Sequence, residues 1–172
     1  SKPRDGDEYD VEFAKCVIAT GSTPASFPGL QPGGANVLTS TGLLNLAGAP
    51  ETLIIVGGGV IGIELGEFYS RLGSKIIMVE AMDRIALSED AEVAAALHKQ
   101  LVRDGWSIHV SRRVKSVVSE GNEALLTFED GEELLSSKAM IAVGRAPGRK
   151  NTEPDKAGLK TFRAGWLETE EH

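Results

Sequence analysis

Three glycines with a fixed spacing are the residues of this chain whose chemistry is easiest to infer. Gly57, Gly59 and Gly62 form the pattern G-x-G-x-x-G, directly after the apolar stretch LIIV and at the start of an amphipathic segment. In this pattern the first glycine permits a tight turn, the second leaves space for a pyrophosphate, and the third lets a helix approach the strands. Free N–H groups and the helix dipole favour the doubly negative pyrophosphate. The spacing therefore predicts a dinucleotide-binding turn; the alternative is a strand–helix crossover that merely tolerates glycine.

An acidic residue follows the next apolar stretch, KIIMV, and bears on which dinucleotide would bind. Glu80 lies about 20 residues beyond the glycine turn, where the fingerprint requires an acid. A carboxylate at that position accepts hydrogen bonds from the adenosine ribose hydroxyls and repels a 2′-phosphate. Arg84 is close in sequence and would suit a 2′-phosphate instead. Because Glu80 occupies the decisive position, we predict NAD rather than NADP as the cofactor.

The elements around these residues follow from the hydrophobic pattern. The stretch LIIVGGGVIGIELGEFYSRLGSKIIMVE predicts a βαβ unit with a strand at 53–57, a helix at 60–72 and a strand at 75–80. A second helix is expected at 90–104, because apolar residues recur there at helical spacing and Gly105 follows. The apolar positions of that helix are Val93, Leu97, Leu101 and Val102.

The hydrophobic period changes after the next predicted strand, WSIHV. The stretches VKSVV, EALLTFED and EELL are short and are separated by the turn sequences EGN and DG, which predicts an antiparallel meander. KAMIAVG then has the continuous apolar composition of a buried strand. The predicted fold class is α/β: a Rossmann-like βαβ domain with a parallel sheet plus an antiparallel β-meander.

Composition excludes several classes of function. The chain has 172 residues, 41% hydrophobic content, a formal net charge of −7 and a pI near 5.0. Nucleic acid and anionic membranes select for basic surfaces, and the basic stretch SRRVK is too short to reverse the balance. No apolar run reaches the roughly 20 residues of a membrane span, and the first ten residues lack a signal-peptide core. We therefore expect no nucleic acid partner and no membrane partner, and the single cysteine adds the expectation of a reducing, cytoplasmic compartment.

A single cysteine limits the redox chemistry available to this sequence. Cys16 has no second thiol with which to form an internal disulfide, and thiolate zinc sites are excluded for the same reason. Its neighbours Val17 and Ile18 give it the surroundings of a strand, so Cys16 is expected to be a small buried hydrophobe. We predict no metal site.

Three stretches occur in the order and spacing of one known family: CVIATGSTPASFPGL, GGGVIGIELGEFYSRLGSKIIMVE and MIAVGRAP. With them the chain resembles the flavin-dependent pyridine nucleotide–disulfide oxidoreductases over nearly its whole length, and most of all those members that oxidise dihydrolipoamide. The resemblance implies that residues 42–144 are an NAD-binding domain inserted into an FAD-binding domain. It also implies that residues 1–41 are an arm and crossover derived from the FAD domain, and that residues 145–172 are an arm leading back to it.

The resemblance also implies roles for individual residues. Glu64 would lie near the nicotinamide, Val114 beside the adenine, and Gly144 along the cofactor. Without the family, Glu64 could be a solvated helix acid, Val114 ordinary meander core, and Gly144 only a turn glycine. The full predicted cofactor-binding set is Gly57, Gly58, Gly59, Val60, Ile61, Gly62, Ile63, Glu64, Glu80, Val114 and Gly144.

Dihydrolipoamide oxidation needs groups that this sequence lacks. It requires a redox disulfide, typically C-x4-C, a flavin and a His–Glu pair. The chain has one cysteine, one G-x-G-x-x-G turn and three histidines, none of which is followed by Glu five residues later. We therefore predict no catalytic residues in this chain, an NAD site within it, and FAD only in a longer parent protein. The expected partners are NAD(H) and the remaining FAD and dimerisation domains of that parent.

Three alternatives remain open at this point. The parent could be another member of the family, one that oxidises NADH or reduces mercuric ion. The chain could instead be a free-standing dinucleotide-binding module. Finally, the glycine turn could hold the adenine half of FAD, in which case the purified protein would be yellow.

Overall fold

The computed structural model describes residues 11–148, 152–162 and 165–169. By its internal contacts the chain divides into two compact units, Thr23–Ala146 on the one hand and Ser1–Ser22 with Pro147–His172 on the other. Parts of both predicted flanking segments, including the first ten residues, lie outside the described residues. No helix in the described ranges combines the length and the apolar content that crossing a membrane requires.

The larger unit alternates helices and strands, and the elements predicted between residues 53 and 144 occur in the predicted order. Its helices are α1 (Ser40–Leu44), α2 (Val60–Arg71) and α3 (Ala91–Arg103). Its strands are β1 (Ser22–Pro24), β2 (Val37–Leu38), β3 (Thr52–Val56), β4 (Lys75–Val79), β5 (Ser107–His109), β6 (Val114–Glu120), β7 (Glu123–Phe128), β8 (Glu133–Ser136), β9 (Lys138–Ile141) and β10 (Arg145–Pro147). The first and last of these strands reach by one residue into the smaller unit.

A five-stranded parallel sheet forms the centre of this unit. Its strand order is β2-β9-β3-β4-β5, and every neighbouring pair runs parallel. Parallel sheets are covered on both faces, which explains why the central strand β3 reads as a continuous apolar run. Leu53, Ile54 and Ile55 are completely buried. The predicted α/β fold with a parallel sheet is confirmed.

The antiparallel meander covers one face of this sheet. Strands β6, β7 and β8 form a three-stranded sheet, with an irregularity in register between Val114 and Ser116. Val117 and Phe128 of the meander belong to the same buried cluster as Ile54 and Val79 of the parallel sheet. Burial of these side chains, worth roughly 1.5–3 kcal/mol for each large one, fixes the meander against this face of the parallel sheet.

The helices cover the opposite face of the sheet. At Gly66 a Cβ atom would lie 2.8 Å from Ile55 Cδ1 and would collide with the ring of Trp106, so this glycine allows α2 to lie close to the strands. Helix α3 has the predicted period, and its apolar positions differ in how far they are buried. Val93 is 58% exposed, whereas Ala94 is buried. Alternating small and large apolar residues leave the phase of this helix ambiguous in the sequence.

Tyr69 connects α2 to α1 through a buried hydrogen bond. Its hydroxyl donates to the backbone oxygen of Leu43 at 2.6 Å, and burial raises the pKa of Tyr69. We expect Tyr69→Phe to lower the free energy of unfolding by about 1–2 kcal/mol at neutral pH, because the Leu43 carbonyl loses its partner while the ring stays.

The effect of Tyr69→Phe should depend on pH in a defined direction. A raised pKa in the folded state means that stability is present below the ordinary tyrosine pKa and is lost as the pH rises above roughly 10. The difference between the original protein and the variant should therefore narrow at alkaline pH. Urea unfolding of both proteins at several pH values measures this, and a difference that is absent at neutral pH or widens with alkali would contradict it.

The smaller unit has little regular structure among its described residues. A short 3-10 helix spans Pro154–Ala157, and strands β11 (Thr161–Phe162) and β12 (Trp166–Leu167) form an antiparallel pair. The prediction that Cys16 is buried was wrong, because Cys16 is exposed and Val17 is 89% exposed. An apolar stretch is buried only where other elements of the fold cover it, and residues 11–20 form no strand in the structure.

Candidate functional site

A cleft opens at the carboxyl ends of strands β3, β4 and β9, where ligands bind in open α/β sheets. Its volume is about 500 Å³. The cleft brings together six of the predicted site residues, which are Gly57, Gly58, Gly59, Glu80, Val114 and Gly144.

The glycines of the turn meet different physical requirements. Gly57 has φ +110°, and a Cβ atom there would collide with the carbonyl oxygen of Ala142, the residue that follows β9. At Gly62 a Cβ atom would collide with the carbonyl oxygen of Gly57, so this glycine allows α2 to pack on the turn. Around Gly59 no atom of the described chain beyond its own residue and its two chain neighbours lies within 4 Å of the position of a Cβ atom. Gly57 and Gly62 are therefore needed by the fold, whereas the space at Gly59 is left open on the cleft.

Helix α2 begins at this open space. Gly59 is its N-cap and provides no side chain that could accept a hydrogen bond from the first turn. The first N–H groups of a helix have no acceptor within the helix, and together with the helix dipole they favour an anion. The turn therefore offers unpaired donors, positive partial charge and free space at one position, which is what a pyrophosphate requires.

Glu80 connects the end of β4 to the glycine turn. Its Oε2 accepts a hydrogen bond from the Gly58 N–H at 2.7 Å, and its Oε1 accepts one from the Met82 N–H at 2.8 Å. A carboxylate has about four acceptor positions, so each oxygen keeps one free for a further donor such as a hydroxyl. The half-buried Glu80 side chain thus both holds the turn in place and presents an acceptor to the cleft.

The remaining walls of the cleft are largely apolar or backbone. Val114, at the start of β6, is half-buried and packs with Leu30 against the core of the meander. Gly144 has φ +125°, and its carbonyl oxygen accepts a hydrogen bond from the Ala25 N–H at 2.9 Å. Val114 and Leu30 form a surface that suits a flat, apolar ring.

The other predicted site residues lie on α2 and do not line this cleft. Gly62 is buried under the turn, and Ile61 and Ile63 are half-buried. Val60 is 65% exposed, and Glu64 is also exposed. The roles of these residues toward a cofactor stay predictions. In the described part of the chain, no group of three or more His, Cys, Asp and Glu side chains could hold a metal ion.

Sequence reasoning missed Arg112, which also lines the cleft. Its backbone N–H donates to the carbonyl oxygen of Glu80 at 3.0 Å. Its guanidinium forms ion pairs with Asp130 at 3.1 Å and Glu132 at 2.7 Å and lies 4.0 Å above the ring of Phe128. The basic stretch SRRVK and the acids around the DG turn were visible in the sequence, but nothing local indicated that they meet.

The chain belongs to the pyridine nucleotide-disulphide oxidoreductase family, whose model matches residues 1–172. Curated relatives make the comparison more specific. The chain is 36% identical over 175 residues to the mitochondrial dihydrolipoyl dehydrogenase of Dictyostelium discoideum, covering 98% of this chain and 36% of that protein. It is 38% identical over 170 residues to a dihydrolipoyl dehydrogenase of Chlorobaculum tepidum, covering 96% of this chain and 36% of the relative.

A relative with a different name and a solved structure complete the comparison. The chain is 31% identical over 163 residues to an NAD(P)H dehydrogenase (quinone) of Mycobacterium tuberculosis, covering 95% of this chain and 33% of the relative. It superimposes with a TM-score of 0.78 and 29% identity on the HOCl-induced flavoprotein disulfide reductase RclA of Escherichia coli, covering 89% of this chain and 35% of that one. The chain therefore spans about a third of the length of such relatives.

Proposed function

We propose that the cleft binds NAD(H), with the pyrophosphate over Gly59 and the start of α2. The adenosine ribose would bind to Glu80, and the adenine would lie against Val114 and Leu30. The observation that carries this proposal is the free space at Gly59 beside a helix start without a side-chain cap. Packing within the fold already explains the other two glycines of the motif, but it does not explain Gly59. The negative Glu80 carboxylate disfavours a 2′-phosphate and supports NAD over NADP.

The residues of the cleft fit the parts of a dinucleotide in turn. Backbone donors face the pyrophosphate, a carboxylate oxygen faces the ribose hydroxyls, and an apolar surface faces the base. Bound NAD supplies hydride-transfer chemistry. The chain's own residues bind and orient this cofactor, and Glu64 on α2 is proposed to lie toward its nicotinamide end.

We further propose that the chain is the NAD-binding part of a dihydrolipoyl dehydrogenase. Relatives of that name, 36–38% identical over nearly the whole chain, support this. Residues 42–144 would be the NAD-binding domain, and 1–41 and 145–172 would belong with an FAD domain. Because the sequence has one cysteine, the chain by itself should not oxidise dihydrolipoamide. NADH turnover with lipoamide by the purified chain would contradict this part.

A parent with another electron acceptor is the second candidate function. The NAD(P)H dehydrogenase (quinone) relative, at 31% identity, favours it. Both candidates use the same cleft for the same cofactor, and they differ in the redox groups that act with it. The number and spacing of cysteines in the parent's flavin domain would distinguish them.

Glu80→Ala tests the binding proposal at its ribose contact. We expect NADH to bind roughly 10-fold to 100-fold more weakly, because charged hydrogen bonds of about 1.5–3 kcal/mol are lost. The preference for NADH over NADPH should fall as well, since the charge that repels a 2′-phosphate is gone. Isothermal titration calorimetry with each dinucleotide measures both quantities.

Glu51→Ala is the matched control for Glu80→Ala. Glu51 is an exposed acid whose side chain lies 3.9 Å from Lys75, and it does not line the cleft. The control should bind NADH as the original protein does. Equal NADH affinity in the Glu80 and Glu51 variants, with both folded, would refute the proposed ribose contact.

A further inference from the structure

Arg112 lines the same cleft as Glu80, and its guanidinium is held by three partners. Nη2 donates to Glu132 Oε2 at 2.7 Å and to Asp130 Oδ2 at 3.1 Å, and the group lies 4.0 Å above the Phe128 ring. Such charge-assisted hydrogen bonds are the strong ones, and the aromatic face adds a cation–π attraction. The hydrogen bond to Glu132 is the main cause of a raised pKa of Arg112. Arg112 is therefore always positively charged, and its guanidinium forms ion pairs with both acids.

The backbone places Arg112 directly beside the end of β4. The Arg112 N–H donates to the carbonyl oxygen of Glu80 at 3.0 Å, and the Ser111 N–H donates to that of Met82 at 2.7 Å. Ser111 has the left-handed backbone conformation, with φ +54°, which turns the chain into β6 at this point. A long side chain that starts here can reach a ligand group bound at Glu80, unless it is held elsewhere.

Asp130 and Glu132 hold the Arg112 side chain away from a ligand group bound at Glu80. Both acids belong to the turn between β7 and β8, and Asp130 Oδ1 also accepts a hydrogen bond from the Glu132 N–H at 3.1 Å. This internal bond keeps the two carboxylates on one side of the turn. Their two negative charges exceed the single charge of Arg112, so the three side chains together carry a net negative charge.

We propose that Asp130 and Glu132 are specificity-determining residues, which hold the Arg112 guanidinium away from a 2′-phosphate and so make the cleft select NAD(H) over NADP(H). This inference rests on the proposed function, because it concerns which dinucleotide the same cleft takes. A free guanidinium is the group that accommodates a 2′-phosphate, since its planar donors match phosphate oxygens in pairs. Selectivity here thus depends on an arginine that is present but already paired, in addition to the repulsion from Glu80.

The double variant Asp130→Asn/Glu132→Gln tests this proposal. Asparagine keeps an acceptor for the Glu132-position N–H, so the turn is preserved while both charges are removed. Calorimetric titration at low ionic strength, where exposed charges are least screened, gives the dissociation constants of NADH and NADPH. We expect the preference for NADH to fall at least about tenfold, mainly through tighter NADPH binding to the released guanidinium. Adding Arg112→Met should restore the original preference.

A control variant separates this effect from a general loss of negative charge. Glu51→Gln/Glu67→Gln also removes two carboxylates, from exposed ion pairs with Lys75 and Arg71 that do not line the cleft. The preference of this control variant for NADH over NADPH should equal that of the original protein. Arg113, which lines the cleft and is exposed, is present in all of these proteins and so cannot cause a difference between them.

The outcomes distinguish this inference from the proposed function. If the double variant binds NADH with an unchanged preference, or keeps a reduced preference after Arg112→Met, the role of the acid pair is refuted. If the original, folded protein binds no NADH, the proposed function itself fails. Should the double variant unfold, Asp130→Asn and Glu132→Gln are measured as single variants, and a preference for NADH unchanged in both would overturn the proposal.

Discussion

Gly59→Val is expected to weaken NADH binding at least about 100-fold while the protein stays folded. A valine side chain would extend into the free space at the start of α2, where we place the pyrophosphate. The backbone at Gly59 is extended, with φ −81°, a conformation that valine adopts without strain. Apart from Gly59 and its two chain neighbours, no residue in the described part of the chain has an atom within 4 Å of the new Cβ atom, so we expect the substitution to leave the native packing intact. Calorimetry for binding and circular dichroism for thermal unfolding measure the two properties separately.

Gly48→Val is the control for this variant. Gly48 also has free space around its Cβ position and an ordinary φ, but it lies in the exposed connection between α1 and β3. Both variants should unfold within a few degrees of the original protein, and only Gly59→Val should lose binding. Normal NADH affinity in folded Gly59→Val would mean that the pyrophosphate does not lie at this turn.

Gly62→Ala should differ from Gly59→Val, because we expect it to lower the free energy of unfolding. The added methyl group would collide with the carbonyl oxygen of Gly57 and lie 3.1 Å from Ile55 Cγ2. Overpacking lowers the free energy of unfolding by about 1–3 kcal/mol. Because a backbone oxygen moves aside less easily than a side chain, we expect a cost of about 3 kcal/mol from this collision. The gain in helix propensity, about 1 kcal/mol, offsets only part of this. Urea unfolding measures the difference.

Gly42→Ala is the matched helical control. Its Cβ atom would meet Leu38 Cδ2 at 3.5 Å, which is ordinary van der Waals contact. This variant should be as stable as the original protein, or more stable by up to about 1 kcal/mol. If Gly62→Ala were as stable as the Gly42→Ala control, α2 would not pack as closely on the turn as described. The explanation given for the third glycine of the motif would then be refuted.

Local features of the sequence predicted the centre of the site. The spacing of Gly57, Gly59 and Gly62 predicts a turn because backbone conformation and close approach are local constraints. The position of Glu80 follows from the same βαβ unit, since the length of the helix determines where the second strand ends. Parallel strands were equally visible, because burial on both faces requires continuous apolar runs.

Contacts between distant residues were not predictable in the same way. Arg112 and Glu132 are 20 positions apart, and their pairing depends on the register of the meander and on the turn after Phe128. The orientation of α3 depends on which apolar face packs better, so its helical spacing alone did not predict that Val93 would be exposed. Cys16 was misjudged because strand composition does not show whether a partner strand is present.

Calorimetric titration of the purified chain with NADH and, separately, with NADPH tests the central claim most directly. The account predicts that NADH binds, that it binds more tightly than NADPH, and that Gly59→Val abolishes this binding without unfolding the protein. A folded chain that binds neither dinucleotide, or binds NADPH at least as tightly as NADH, would contradict the claim that this cleft is an NAD site.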